Sequence, residues 1–112
     1  MKYLLFALAL FLPYWTVNAA DIAFGKVIGV KHYDFNNVKV IKVYFSKEST
    51  HQTTEMCNGV GTITQTKHSE QVVSQMQSIA MAGYLSGSKV RAYSESNDSC
   101  EIDLISLQES YF

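Results

Sequence analysis

The sequence predicts a small, mainly β domain of five strands, with one helix between the third and fourth strands. Three observations support this fold class. β-branched and aromatic residues alternate with polar residues in five short segments. One longer segment repeats its apolar residues at helical spacing. Cys57 and Cys100 are the two cysteines of the chain, and two cysteines of a small exported domain usually pair, so we expect a disulfide between them.

Residues 1–19 have the features of a secretory signal peptide. Lys2 supplies a positive charge, a short apolar run follows, and small residues end at Ala19. The apolar run is too short, and too soon interrupted by Pro13, to span a bilayer. We therefore expect a secreted or periplasmic protein with no membrane insertion after signal cleavage, and one domain over residues 20–112.

The charge of the mature chain argues against one class of partner. Without Lys2 the chain has eight basic and ten acidic side chains, a formal net charge of −2 with histidine neutral. Proteins that bind nucleic acid mainly through phosphates carry a basic excess, so no nucleic-acid partner is expected. The three histidines show no metal-ligand spacing, and neither a metal nor another cofactor is expected.

The first two strands are predicted over residues 24–33 and 38–45. Residues 34–37 are Asp, Phe, Asn and Asn, and because Asn and Asp tolerate left-handed conformations they predict a turn. The two strands therefore form a β-hairpin. Three apolar residues are predicted to share one face of the first strand: Phe24, Ile28 and Val30.

A polar loop over residues 46–54 leads to a third strand, predicted over residues 55–64. Gly59 and Gly61 lie within this segment, and glycines in a strand pattern predict a bulge or a bend.

The predicted helix follows Ser69, which is a suitable N-cap, and Glu70 in the first turn favours the helix dipole. Gly87 is predicted to end the helix in a left-handed conformation. Gly83 predicts close packing of the helix on the sheet. The apolar stripe is predicted to face the core and comprises Val72, Val73, Met76, Ile79, Ala80 and Tyr84.

The last two strands are predicted over residues 89–94 and 100–107, with a polar turn at residues 95–99 between them. In the fourth strand Val90 and Ala92 are predicted on one face, and Arg91 and Tyr93 on the other. In the fifth strand two apolar residues alternate with two carboxylates, which are predicted to lie on a solvated outer face; the four are Ile102, Leu104, Glu101 and Asp103.

This order of elements is that of the OB-fold, a five-stranded, partly open Greek-key barrel. The helix between the third and fourth strands is expected to close one end of the barrel, which explains its apolar stripe.

Residues 77–94 carry a more specific resemblance. Their sequence, QSIAMAGYLSGSKVRAYS, resembles a block in the B subunits of subtilase-cytotoxin and pertussis-like toxins. In both, a helix ends in an aromatic residue, a small residue and Gly, and passes directly into a strand reading Val-Arg-hydrophobic-Tyr. Residues 97–101, Asn-Asp-Ser-Cys-Glu, are similar to the late-strand cysteine segment of related small secreted bacterial proteins.

The resemblance implies a bacterial OB-fold that can assemble into a homopentamer and that, in the toxins, binds cell-surface glycans. This chain departs from those subunits, which are longer, carry extra cysteines and have a Trp-rich loop where it has only residues 95–99. The serine that the toxins use for sialic acid falls at Phe24, so a sialic-acid site is not carried over.

Four residues are predicted to bind ligand. Tyr33, Tyr44 and Tyr93 lie on predicted strands and Arg91 flanks Tyr93; aromatic side chains of secreted OB-folds can stack on sugar rings. The alternative is that these aromatics pack the barrel or a subunit interface.

The sequence contains no recognisable nucleophile and base set, so we expect a non-enzymatic binding module that recognises a glycan or a protein partner. The alternative is a periplasmic structural or assembly protein, which would act through exposed strand edges and the C-terminal residues Tyr111 and Phe112.

Overall fold

A computed structural model describes residues 20–50 and 57–110 of the chain. The predicted signal peptide and the C-terminal Tyr111 and Phe112 lie outside the described residues. The elements, in chain order, are β1 (Ala20–Phe35), β2 (Val38–Phe45), β3 (Val60–Thr64), α1 (Glu70–Ser86), β4 (Lys89–Ser94) and β5 (Leu104–Leu107). The fold is mainly β with the helix between the third and fourth strands, which confirms the predicted class.

The five strands form one sheet in the order β3-β2-β1-β4-β5, and all neighbouring strands are antiparallel. The long strand β1 pairs with β4 over its first half and with β2 over its second half. A single parallel bridge between Thr62 and Glu101 then joins β3 to the segment before β5. The open sheet therefore curls into the partly open, OB-fold-like Greek-key barrel that the order of elements predicts.

The β1–β2 hairpin matches its prediction closely. Asn36 and Asn37 both have positive φ, 53° and 63°, as a two-residue type I′ turn requires. The turn places Phe35 opposite Val38 and sets the register of all later pairs in the hairpin.

The predicted face of β1 is wrong, because the strand contains a bulge. The register shifts between Val27 and Gly29, and a bulge residue reverses the alternation of side chains beyond it. Val30 therefore packs on the core, whereas Ile28 is 59% exposed. Phe24 is buried but lies outside the core cluster.

Helix α1 has the predicted caps. The Ser69 hydroxyl accepts a hydrogen bond from the Val72 N–H at 3.2 Å, and Gly87 (φ 72°) ends the helix with its N–H donating to the Gly83 carbonyl. The helix packs against β1, β4 and β5. Its buried residues are Val73, Met76, Ala80 and Gly83, with Val72 and Ile79 partly buried against the core.

Tyr84 does not belong to the core face as predicted, since it is 47% exposed. The helix approaches the sheet most closely at Gly83, where an added Cβ would collide with Val90. Gly83 therefore faces the sheet, and Tyr84, one position further round the helix, lies at the edge of the buried face.

Strand β4 confirms both its predicted bounds and its faces, with Val90 and Ala92 fully buried. Strand β3 begins later than predicted because Asn58 and Gly59 have positive φ and form a turn. Glu55, within the predicted third strand, lies outside the described residues. Gly61 lies in an uninterrupted ladder opposite Val43, so the predicted bend occurs at Gly59 alone.

Strand β5 is also shorter than predicted and its predicted alternation is wrong. A bend at Asp103 separates the bridge residue Glu101 from the strand proper. Ile102 and Ile105 are therefore the buried residues, whereas Leu104 is exposed.

The predicted disulfide is present. Cys57, in the turn before β3, is bonded to Cys100, in the loop before β5, with a Cα–Cα distance of 5.5 Å. It lies beside the Thr62–Glu101 bridge, and we call this contact between β3 and residues 100–102 the seam.

Among the described residues no helix has the length and apolar character needed to span a membrane.

Candidate functional site

The structure separates the four predicted ligand-binding residues into two groups. Tyr44 lies opposite Gly29 on β1, whereas Arg91 lies opposite Phe24. Phe24 and Gly29 are five positions apart on β1, which corresponds to about 17 Å along the strand. Tyr33 lies further along β1 still, so the two tyrosines of the hairpin and the pair on β4 do not form one patch.

Arg91 and Tyr93, the pair on β4, make contacts within the protein. Arg91 Nε donates to Asp21 Oδ1 at 2.9 Å, and Asp21 is 5% exposed. The Arg91 guanidinium also lies 5.2 Å from the centre of the Tyr93 ring. A buried carboxylate requires such a partner, so this pair has a structural task at the β1–β4 contact.

Tyr33 and Tyr44 lie instead on the side of the hairpin that faces away from the core. The opposite side carries the buried residues Ile41, Val43 and Ile63. We call the side away from the core, on β1, β2 and β3, the outer face. Its members are Lys31, Tyr33, Phe35, Val38, Val40, Lys42, Tyr44, Val60, Thr62 and Thr64.

On the outer face, each of two lysines lies against the ring of a tyrosine on the neighbouring strand. Lys31 Nζ lies 5.2 Å from the centre of the Tyr44 ring, and Lys42 Nζ lies 5.3 Å from that of Tyr33. Both distances are within the range of cation–π attraction. Phe35 extends the aromatic row, with its ring centre 5.9 Å from that of Tyr33.

Tyr33 affects the titration of Tyr44. A side-chain hydrogen bond to Tyr33 is the main cause that raises the pKa of Tyr44 above its ordinary value of 10.0, with desolvation and charge repulsion from Tyr33 as lesser causes. Tyr44 is therefore neutral at physiological pH, and its hydroxyl can donate a hydrogen bond.

Lys31 and Lys42 are directly opposite each other in the hairpin register. Like charges in this arrangement repel and destabilise a sheet. Neither lysine forms an ion pair with any described residue. We call the line of cross-strand neighbours that begins with Lys31 and Lys42 the lysine row. It continues across the sheet from Lys42 to Thr62 and then, over the seam, to Glu101.

Glu101 is not the solvated residue that strand alternation predicts, since it is 8% exposed. Its carboxylate accepts hydrogen bonds from the Thr64 N–H at 2.8 Å and the Thr64 hydroxyl at 2.5 Å. His68 Nε2 lies 3.3 Å from it, and this buried nitrogen has no hydrogen-bond partner among the described residues. Asp103 accepts from the Glu95 N–H, and it lines one cleft of about 480 Å³ with His68 and Glu101.

A cleft of about 400 Å³ lies beside the β1 bulge. Phe24 lines this cleft and is buried. Lys89 Nζ lies over it, 5.7 Å from the centre of its ring. The toxin resemblance would require a serine at this position. Over residues 20–50 and 57–110, no three His, Cys, Asp or Glu side chains are grouped to hold a metal ion.

Comparison of the chain with protein-family models, with curated proteins and with solved structures finds no match in any of the three. The site is therefore interpreted from its own chemistry.

Sequence reasoning identified Tyr33 and Tyr44 but missed Lys31, Lys42 and Phe35. The signal was present, because the Asn36-Asn37 turn sets the register and that register pairs Lys31 with Lys42. The role of Glu101 had no such signal, since it depends on a bridge between segments far apart in the chain.

Proposed function

We propose that this chain is an exported, non-enzymatic binding module that recognises a carbohydrate through its outer face. The observation that carries the proposal is the crossed arrangement of Lys31, Tyr33, Lys42 and Tyr44 on an open side of the sheet. In OB-folds generally, this part of the sheet is a common binding surface for oligosaccharides and oligonucleotides.

The dimensions and chemistry of the outer face suit a chain of sugar units. From Phe35 to the row of Gly29 and Tyr44 the face is about 20 Å long, as judged from the strand rise. Aromatic rings offer flat apolar surfaces, and the hydroxyl and ammonium groups beside them can hydrogen-bond to sugar hydroxyls.

Four of the described groups that could support catalysis are engaged in structural contacts, which supports a binding role. Cys57 and Cys100 are joined in the disulfide. The Glu101 and Asp103 carboxylates accept hydrogen bonds from backbone N–H groups.

The test is a glycan array and titration calorimetry with wild type and with Tyr33→Ala and Tyr44→Ala variants. We expect the wild type to bind at least one saccharide class and each variant to weaken that binding by about tenfold, a loss typical of a buried aromatic contact. Tyr84→Ala is the matched control, because Tyr84 is an exposed tyrosine on α1, away from the outer face. If the wild type binds no saccharide, or if Tyr84→Ala weakens binding as much, the proposal is wrong.

A second candidate function is assembly with a protein partner, and an exposed apolar patch on the helix favours it. Met81, Tyr84 and Leu85 lie on one side of α1, and Leu85 is 76% exposed. Leu107 of β5 is exposed near the same helix, at Gly83. Exposed apolar residues that cluster in this way are typical of protein contacts.

This second function is tested by sedimentation equilibrium and by partner capture with a Tyr84→Ala, Leu85→Ala double variant. A ring of five, as the toxin B subunits form, would dissociate in the variant while saccharide binding persisted. A wild type that is monomeric at tens of micromolar, with an unchanged set of captured partners in the variant, would contradict it.

A further inference from the structure

We infer that the ligand of the outer face is an acidic saccharide, whose carboxylate or sulfate group binds between Lys31 and Lys42. This inference rests on the proposed carbohydrate-binding function and adds the chemical class of the sugar. It is carried by two lysines that are direct cross-strand neighbours and have no anionic partner among the described residues.

The first step of the argument is the repulsion between the two lysines. Lys31 and Lys42 are direct cross-strand partners on the outer face, and like charges at opposed positions destabilise a sheet. An anion placed between them converts this repulsion into two attractions. The protein is therefore poised to bind a negative group more tightly than a neutral one at this position.

The second step is that no described carboxylate neutralises the lysines. The two ion pairs among the described residues are Arg91 with Asp21 and His68 with Glu101. Glu101 is the acidic residue that continues the lysine row, but it is two strands beyond Lys42, about 10 Å by strand spacing. Its oxygens are also bound to Thr64.

The third step is the set of donors around the lysine pair. Each ammonium group lies against one tyrosine ring, Lys31 against Tyr44 and Lys42 against Tyr33. Ammonium groups are hydrogen-bond donors. A carboxylate or sulfate accepts several such bonds at once, and charge-assisted hydrogen bonds are stronger than neutral ones.

A saccharide fits these observations better than a nucleic acid. The outer face presents two lysines and three aromatic rings, and the mature chain carries more acidic than basic side chains. A nucleic-acid groove would need a longer basic track to follow the phosphates.

The test uses titration calorimetry of the full mature protein with four probes. These are an oligogalacturonate, a sulfated heparin-derived oligosaccharide, a neutral malto-oligosaccharide and a single-stranded oligonucleotide. The Lys31→Gln, Lys42→Gln double variant is compared with a Lys39→Gln, Lys67→Gln double variant, which removes the same charge. Lys39 lies on the opposite side of β2 and Lys67 in the turn before α1.

We expect the wild type to bind at least one acidic saccharide about tenfold or more tightly than the neutral one. The Lys31→Gln, Lys42→Gln variant should lose that preference and retain its neutral binding, whereas the control variant should retain both. Raising sodium chloride from about 50 to about 500 mM should also reduce the preference, because salt screens exposed charges. The two acidic probes show whether carboxylate or sulfate is preferred.

Three outcomes would overturn the inference. Equal binding of neutral and acidic saccharides would refute it while leaving the proposed carbohydrate function in place. Lysine-dependent binding of the oligonucleotide in preference to every saccharide would replace the sugar by a nucleic acid. If no saccharide binds the wild type, both proposals fail. Circular dichroism and an intact Cys57–Cys100 disulfide by mass spectrometry establish that each variant is folded.

Discussion

Two regions of the same sheet, the seam and the outer face, hold their charged side chains in different ways. At the seam, Glu101 is buried and its carboxylate receives two hydrogen bonds from Thr64, beside a disulfide. On the outer face, Lys31 and Lys42 are opposed and form no ion pair with the described residues. The charge at the seam is therefore held by hydrogen bonds within the protein, whereas the two lysines of the outer face have no anionic partner among the described residues.

The largest effect is expected when the disulfide is removed by the double substitution Cys57→Ser and Cys100→Ser. The crosslink spans 43 positions, and the chain-entropy model gives a loss of up to about 4 kcal/mol in unfolding free energy. Urea unfolding followed by circular dichroism measures it. The Lys31→Gln, Lys42→Gln variant should change the same quantity by no more than about 0.5 kcal/mol. Similar losses of unfolding free energy in both variants would show that the seam and the outer face do not differ in their contribution to stability.

A smaller loss is expected for Glu101→Ala, because the partly buried N–H of Thr64 would lose its acceptor. The expected cost is about 2 kcal/mol of unfolding free energy, measured by the same urea titration. Glu95→Ala is the control, since Glu95 is exposed and follows β4 in the polar turn. Equal effects of the two substitutions would show that the seam carboxylate contributes no more than a surface residue.

Two glycines allow the packing of the regions to be compared directly. A Cβ at Gly61 would lie 2.6 Å from Ile102 Cδ1, and Ile102 is fully buried, so Gly61→Ala should cost about 1–3 kcal/mol by overpacking. At Gly29 the nearest atom would be Tyr44 Cδ1 at 3.6 Å, an ordinary contact. Gly29→Ala should therefore be neutral or stabilise by about 0.5 kcal/mol. Thermal unfolding of both variants checks the difference in sign.

A charge reversal on the outer face should stabilise the protein slightly. Lys31→Glu places a carboxylate opposite Lys42 and should add about 0.5 kcal/mol at low salt, an effect that high salt removes. Lys39→Glu is the matched opposite, because Lys39 already faces Asp34 and the change creates a repulsive pair. Urea unfolding at two salt concentrations should thus give opposite signs. The same sign in both would show that cross-strand charge does not govern this hairpin.

The smallest expected effect is on the titration of Tyr44. Hydrogen bonding to Tyr33 raises the pKa of Tyr44 above 10.0, so the associated stability is present below pH 10 and is lost as the pH rises through the folded-state pKa. Tyr33→Phe should lower the pKa of Tyr44 toward 10.0, as measured by ultraviolet absorbance during a pH titration. Tyr84→Phe should leave the pKa of Tyr44 unchanged. If it lowered that pKa as much as Tyr33→Phe does, the hydrogen bond to Tyr33 would not be the cause.

Local chemistry explains which parts of the fold were predictable. The Asn36-Asn37 turn, the Ser69 cap and the Gly87 stop each depend on residues adjacent in the chain, and all three were predicted correctly. The Cys57–Cys100 pair was predicted from the cysteine count and the expected oxidising compartment. Export itself, the toxin resemblance and the ligand remain predictions.

The incorrect predictions share a different cause. The bulge at Ile28 changes which side chains of β1 face the core, and α1 packs on the sheet through Gly83 rather than through Tyr84. Neither follows from alternation or helical spacing, because each depends on how one element meets another.

The sequence by itself determined the number and order of the elements, their turns and caps, the disulfide and two of the aromatic residues of the outer face. These depend on backbone preferences and on side-chain periodicity, which act over a few residues. Only the tertiary structure decided that Arg91 binds Asp21, that Glu101 is buried at the seam and that Lys31 and Lys42 have no described anion. Such properties depend on which distant groups share a neighbourhood, because burial and electrostatic pairing act through space rather than along the chain.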